Sequence, residues 1–120
     1  MVSRDFAKDS DNGHVAAADA FVSRARSYHL DTIVELVVFG STARGDTHGL
    51  ASDVDIFVVL SDTSDQGTIA DDLRDIAYDV MLEYGPVVEL HIVSQSEFDR
   101  LRAEGNPFVQ NVFTEGQMYA

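Results

Sequence analysis

The chain has 120 residues, 45% of them apolar, which is the size of one globular domain built around one core. Its 21 acidic residues against 8 basic ones give a net charge of −13, which argues against direct nucleic-acid binding, because phosphate contacts need clustered Lys and Arg. The absence of cysteine rules out disulfides and thiolate metal sites.

Most of the acids are Asp, and all but one of the basic residues are Arg. Such a surface stays hydrated in high salt, where screening is short-ranged and self-repulsion costs little, and it points to a halophilic source. A disordered acidic chain would carry the same charge, but the apolar runs below are too strong for disorder. The polar N-terminus has no signal-like stretch, and the longest apolar runs are about strand length. A cytoplasmic protein with no membrane contact is expected.

Residues 1–13 lack periodicity and end in Asp11-Asn12-Gly13, which predicts a flexible tail ahead of a single domain over 14–120. From His14 to His29, Val15, Ala18, Phe21, Val22, Ala25 and Tyr28 recur at helical steps and should cover a sheet. Thr32 to Phe39 is β-branched and ends in four apolar residues, as in a strand buried on both faces, and Gly40 stops it. Ser41 to Gly45 suits a short helical turn. A second buried strand, Val54 to Leu60, is expected to pair antiparallel with the first. Thr68 is the predicted N-cap of a helix to about Tyr84, with Ile69, Leu73, Ile76, Ala77, Val80 and Met81 as its apolar stripe. A third strand runs from Val87 to Val93. Ser94 and Glu97 form a capping-box pattern for a short helix through Phe98 and Leu101. Gly105-Asn106-Pro107 breaks it, and Phe108 to Phe113 reads as helix. This order predicts an α/β (α+β) domain in two layers, with helices on a small mixed sheet. Only the Thr68 helix is long enough to cross over between parallel strands.

Two Asp-x-Asp pairs occur. Asp9/Asp11 lies in the polar tail, whereas Asp53/Asp55 opens an apolar strand, where carboxylates are disfavoured and costly to bury. Residues i and i+2 share a strand face, so the two carboxylates point into one space and repel unless a cation stands between them. Oxygen ligands suit Mg²⁺. Glu89 repeats the anomaly in the third strand and could complete a group of three acids. Glu83 and Glu97 are nearby acids on helical segments and read as solvated. His91 shares a face with Glu89 and could orient that carboxylate or a substrate, whereas His14, His29 and His48 have no ligand spacing. Gly40-Ser41, between a buried strand and a helical turn, would expose backbone N–H groups to an anion, and Arg44 one turn on could add a charged hydrogen bond.

The run Gly40-Ser41, eleven residues, Asp53-Val54-Asp55 and a later acid resembles the signature of the polymerase-β-like nucleotidyltransferase superfamily. The segment VVFGSTARGDTHGLASDVDIFVVL and the ending NPFVQNVFTEG are similar to its minimal prokaryotic members. The spacer is one residue longer than the common form, and Glu89 stands where Asp is usual. The resemblance implies that Asp53, Asp55 and Glu89 are catalytic and bind two Mg²⁺ ions, with Gly40, Ser41 and Arg44 holding ATP or another nucleoside triphosphate. It further implies an antitoxin that transfers AMP to a hydroxyl of a HEPN-type helical partner encoded nearby. A non-catalytic antitoxin with a vestigial nucleotide site is the alternative. A small-molecule, aminoglycoside-like transferase is another, if a homo-oligomer interface supplies half of the site.

Overall fold

A computed structural model describes residues 10–40, 53–62 and 65–119. In chain order the elements are α1 (Ser10–His29), β1 (Ile33–Phe39), β2 (Val54–Leu60), α2 (Gln66–Tyr84), β3 (Val88–Ser94), α3 (Gln95–Ala103), α4 (Pro107–Glu115) and β4 (Gln117–Met118). The strands form one mixed sheet in the order β3-β2-β1-β4. The β1–β2 pair is antiparallel, as expected, and the long α2 carries the chain over to β3, which lies parallel to β2.

Alternation along the strands sorts the side chains onto two faces. Leu36 and Val38 of β1, Val54, Ile56, Val58 and Leu60 of β2, and Val88, Leu90 and Ile92 of β3 face α1 and α2. There they meet Ala18, Phe21, Val22 and Ala25 from α1, and Ile69, Leu73, Ala77 and Val80 from α2. The opposite face brings Val37, Phe57 and Val59 against Phe98 of α3 and Val109 and Val112 of α4. The helices therefore lie on both sides of the sheet, and the expected two layers become three. Strands whose consecutive residues are all apolar leave a second face that must also be removed from water, and the short C-terminal helices do this.

Several boundaries differ for identifiable reasons. Helix α1 starts at Ser10, so the stretch 10–13 joins the helix rather than a tail; residues 1–9 lie outside the described residues. Its buried stripe takes in His14 and Ala17, while Val15 (49% exposed) and Tyr28 (73%) point outward, a slip of one position around the helix. Helix α2 is capped by Asp65, whose carboxylate accepts the Thr68 backbone N–H and hydroxyl, so Thr68 lies inside the first turn. The Ser94 cap is as expected: its hydroxyl accepts the Glu97 N–H at 3.1 Å. Strand β4 has no apolar alternation of its own, and it forms because Tyr119 N–H donates to the Leu36 carbonyl at 2.7 Å. Among the described residues no helix is long and apolar enough to cross a membrane.

Candidate functional site

The site is built by register. Phe39 pairs with Asp55, and Asp55 with Glu89, so one row across β1, β2 and β3 reads Phe39, Asp55, Glu89. The next row reads Val37, Phe57, His91. All six lie on the face covered by α3 and α4. Because those helices shield the Phe57 end of the sheet, the row of acids falls beyond the apolar cover. Asp55 is half-buried and Glu89 exposed.

Donor atoms of Asp55, Glu89 and His91 lie within 4.8 Å of one another. Asp53, immediately before β2, is outside that group of three. It lines, with Glu89, a cavity of about 570 Å³ between α2 and β3, whose walls include Arg74, Tyr78, Met81 and Val87. The backbone is pinned there by the Val54 N–H, which donates to the Val87 carbonyl at 2.8 Å. Burial, then the Glu89 carboxylate beside it, pushes the Asp55 carboxyl above the ordinary Asp range; His91 acts in the opposite sense and Asp53 adds to the rise.

Gly40 closes the row on the β1 side. Its φ is +77°, in the left-handed region, and a Cβ there would stand 2.6 Å from Asp55 Oδ2. Glycine is therefore favoured by the backbone, and it lets the Asp55 carboxylate keep its position. Gly40 and Glu89 flank Asp55 on opposite sides, one just past the end of β1 and one on β3. Ser41 and Arg44 lie outside the described residues.

His91 is held by aromatic rings, with centroids 5.4 Å from both Phe39 and Phe108, and its Nε2 lies 4.0 Å from Asp55 Oδ1. Glu83 and Glu97 sit on helices, paired with Arg24 at 2.9 Å and Arg100 at 2.7 Å. Arg74 was not singled out by the sequence. Its signal is the spacing Arg74, Ala77, Tyr78, Met81, a helical stripe that lines the cavity.

Acids gathered on one sheet row beside a glycine turn suit a metal-assisted phosphoryl-transfer domain. The chain belongs to the nucleotidyltransferase domain family, whose sequence model matches residues 19–116. No protein of curated function matches it. Among solved structures, a toxin-antitoxin with AMP-PNP is similar at 24% identity and a TM-score of 0.54, over 82% of this chain and 68% of that one. A mutant of the toxin-antitoxin MntA-HpeT is similar at 23% identity and 0.53, with the same coverage. The resemblance drawn from the motif is thus borne out in family and in fold.

Proposed function

We propose that this chain is a Mg²⁺-dependent nucleotidyltransferase that moves AMP from ATP to a hydroxyl of a partner protein, and that the partner is a HEPN-type toxin silenced by the transfer. The observation carrying this reading is the convergence of Asp55 and Glu89, paired on adjacent strands, with Gly40 at the end of β1. Similarity of fold to toxin-antitoxin structures, one of them with AMP-PNP, supports the nucleotide and the partner. A cytoplasmic setting accords with both.

The residues present fit a divalent cation. Carboxylate oxygens are hard donors, and a cation between the acids would offset both the burial that chiefly raises the Asp55 pKa and the Glu89 charge that adds to it. Asp53, Asp55 and Glu89 would hold two ions. When bound, Mg²⁺ neutralises triphosphate charge and lowers the pKa of a hydroxyl. Gly40 leaves room beside Asp55, and with Ser41 and Arg44 it would hold the polyphosphate. In the transfer the acceptor oxygen bonds to the α-phosphorus while the α–β bridging bond breaks and pyrophosphate leaves. The acceptor proton passes to Glu89 or Asp55. Alignment of the two substrates contributes much of the remaining acceleration.

The test is to incubate the chain with Mg²⁺, ATP and the product of the neighbouring gene, and to weigh that partner intact. A gain of one adenylyl unit, absent with Asp53→Asn/Asp55→Asn, is expected. The separation of Asp53 from the group of Asp55, Glu89 and His91 favours a second reading, a binding module that blocks its partner by occlusion. Inhibition of the partner without any mass gain would select it.

A further inference from the structure

We propose that His91 is a metal ligand, and that one of the two ion positions, the one between Asp55, Glu89 and His91, prefers a divalent transition ion of the Mn²⁺ class over Mg²⁺. The inference rests on the reading that these acids hold metal, and deepens it by naming the third donor and the ion it selects.

Geometry comes first. Donors of one octahedral ion at metal–ligand distances of roughly 2.1 Å stand about 3 Å apart when adjacent and about 4.2 Å apart when opposite. His91 Nε2 and Asp55 Oδ1, at 4.0 Å, stand close to the spacing of opposite donors. Only one pair of three donors can be opposite, so the Glu89 oxygen, which lies within 4.8 Å of both others, must close by up to about 1.8 Å through side-chain rotation for the three to share an ion. The same 4.0 Å is too long for a hydrogen bond, and among the described residues none occupies the ring nitrogens of His91. The imidazole is thus aimed at the acids without being spent on them.

Preorganisation comes second. Phe39 and Phe108 stand 5.4 Å from the His91 ring, tilted by 56° and 48°, and Phe39 also occupies the row of Asp55. A ring confined in this way loses little freedom on binding an ion. His91 and Asp55 keep 32% and 26% of their side-chain surface exposed, which leaves a path from solvent.

Chemistry decides the ion. Mg²⁺ takes oxygen donors almost alone, whereas an imidazole added to two carboxylates raises affinity for first-row transition ions. A site of pure carboxylates would show a weaker preference of this kind, and no nitrogen coupling.

The experiment titrates the whole metal-free chain with Mn²⁺ and reads pulsed EPR. Wild type is expected to show ¹⁴N coupling to the bound ion, replaced by ¹⁵N coupling when histidine is isotopically labelled. That labelled wild type keeps the test independent of any variant's folding. His91→Gln should lose the coupling and reduce the Mn²⁺-to-Mg²⁺ affinity ratio about tenfold or more. Mn²⁺ bound without nitrogen coupling, or no Mn²⁺ uptake at millimolar concentration, would overturn the proposal. The adenylyl-transfer assay with Mg²⁺ is read separately, so nitrogen coupling can fail while transfer succeeds, and the reverse.

Discussion

Substituting Gly40 separates the two demands made on that position. In Gly40→Ala the backbone must hold an L-residue at φ +77°, which costs about 1–2 kcal/mol. The new Cβ would also start 2.6 Å from Asp55 Oδ2. That atom ends a side chain that can swing, so relief is cheap for the fold but moves the carboxylate by about 0.8 Å to reach ordinary contact near 3.4 Å. Metal sites tolerate errors of roughly 0.2 Å in donor position. A modest loss of stability should therefore accompany a large loss of ligand binding. For a domain of this size the melting temperature should fall by about 3–10 °C, and Mg²⁺-ATP affinity in calorimetry by about tenfold or more. Gly13→Ala is the control: it lies inside α1, with no atom within 4 Å of the added Cβ, and should stabilise by about 0.5–1 kcal/mol. A Gly40→Ala protein that melts with wild type and binds Mg²⁺-ATP within twofold of it would refute this account.

Other perturbations probe separate parts. Phe57→Ala removes a fully buried ring that meets Phe98, Phe108 and Phe113, and should cost about 3–5 kcal/mol, lowering the melting temperature by roughly 10 °C or more. Gly116→Ala places a Cβ 2.4 Å from Val37 Cγ1 and 2.5 Å from the Val112 carbonyl oxygen; the backbone cannot yield as a carboxylate can, so a loss of about 1–3 kcal/mol and increased amide exchange at Tyr119 are expected. The pH dependence follows from Asp55. With its folded-state pKa raised by burial and Glu89, its contribution to stability is full below the unfolded value of 3.8 and lost as pH rises through the folded value. Saturating Mg²⁺ should accordingly raise the melting temperature more at pH 8 than at pH 5, and equal shifts would count against a cation at this carboxylate. Asp62 has the opposite sign: the Ser96 hydroxyl and N–H hold its pKa below the ordinary Asp value, so its stabilisation is present above 3.8 and lost as pH falls through the lower folded value. Asp62→Ala should flatten the acid side of the stability curve.

How much of this was legible depended on whether the signal was local. Alternation along a strand is a property of neighbouring residues, so it put Glu89 on one face with His91 before any strand was paired. The same rule joined Asp53 to Asp55, whereas the structure leaves Asp53 just before β2, outside the group of Asp55, Glu89 and His91. The glycine after β1, the Ser94 cap and the long crossover helix are equally local, and each is found where the residues indicated, save that the helix starts a few residues before Thr68, at an Asp65 cap. Register is not local. That Asp55 falls opposite Glu89, and Phe57 opposite His91, depends on how α2 returns the chain to the sheet, and a slip of one residue would have turned every acid to the other face. The same holds for His91. From sequence it was one histidine near an acid, and only its position between Phe39 and Phe108 gives its ring a direction. The second helical layer and strand β4 belong with these. The two short helices were legible by themselves, but which sheet face they cover was not, and β4 forms only because an open β1 edge was there to receive it.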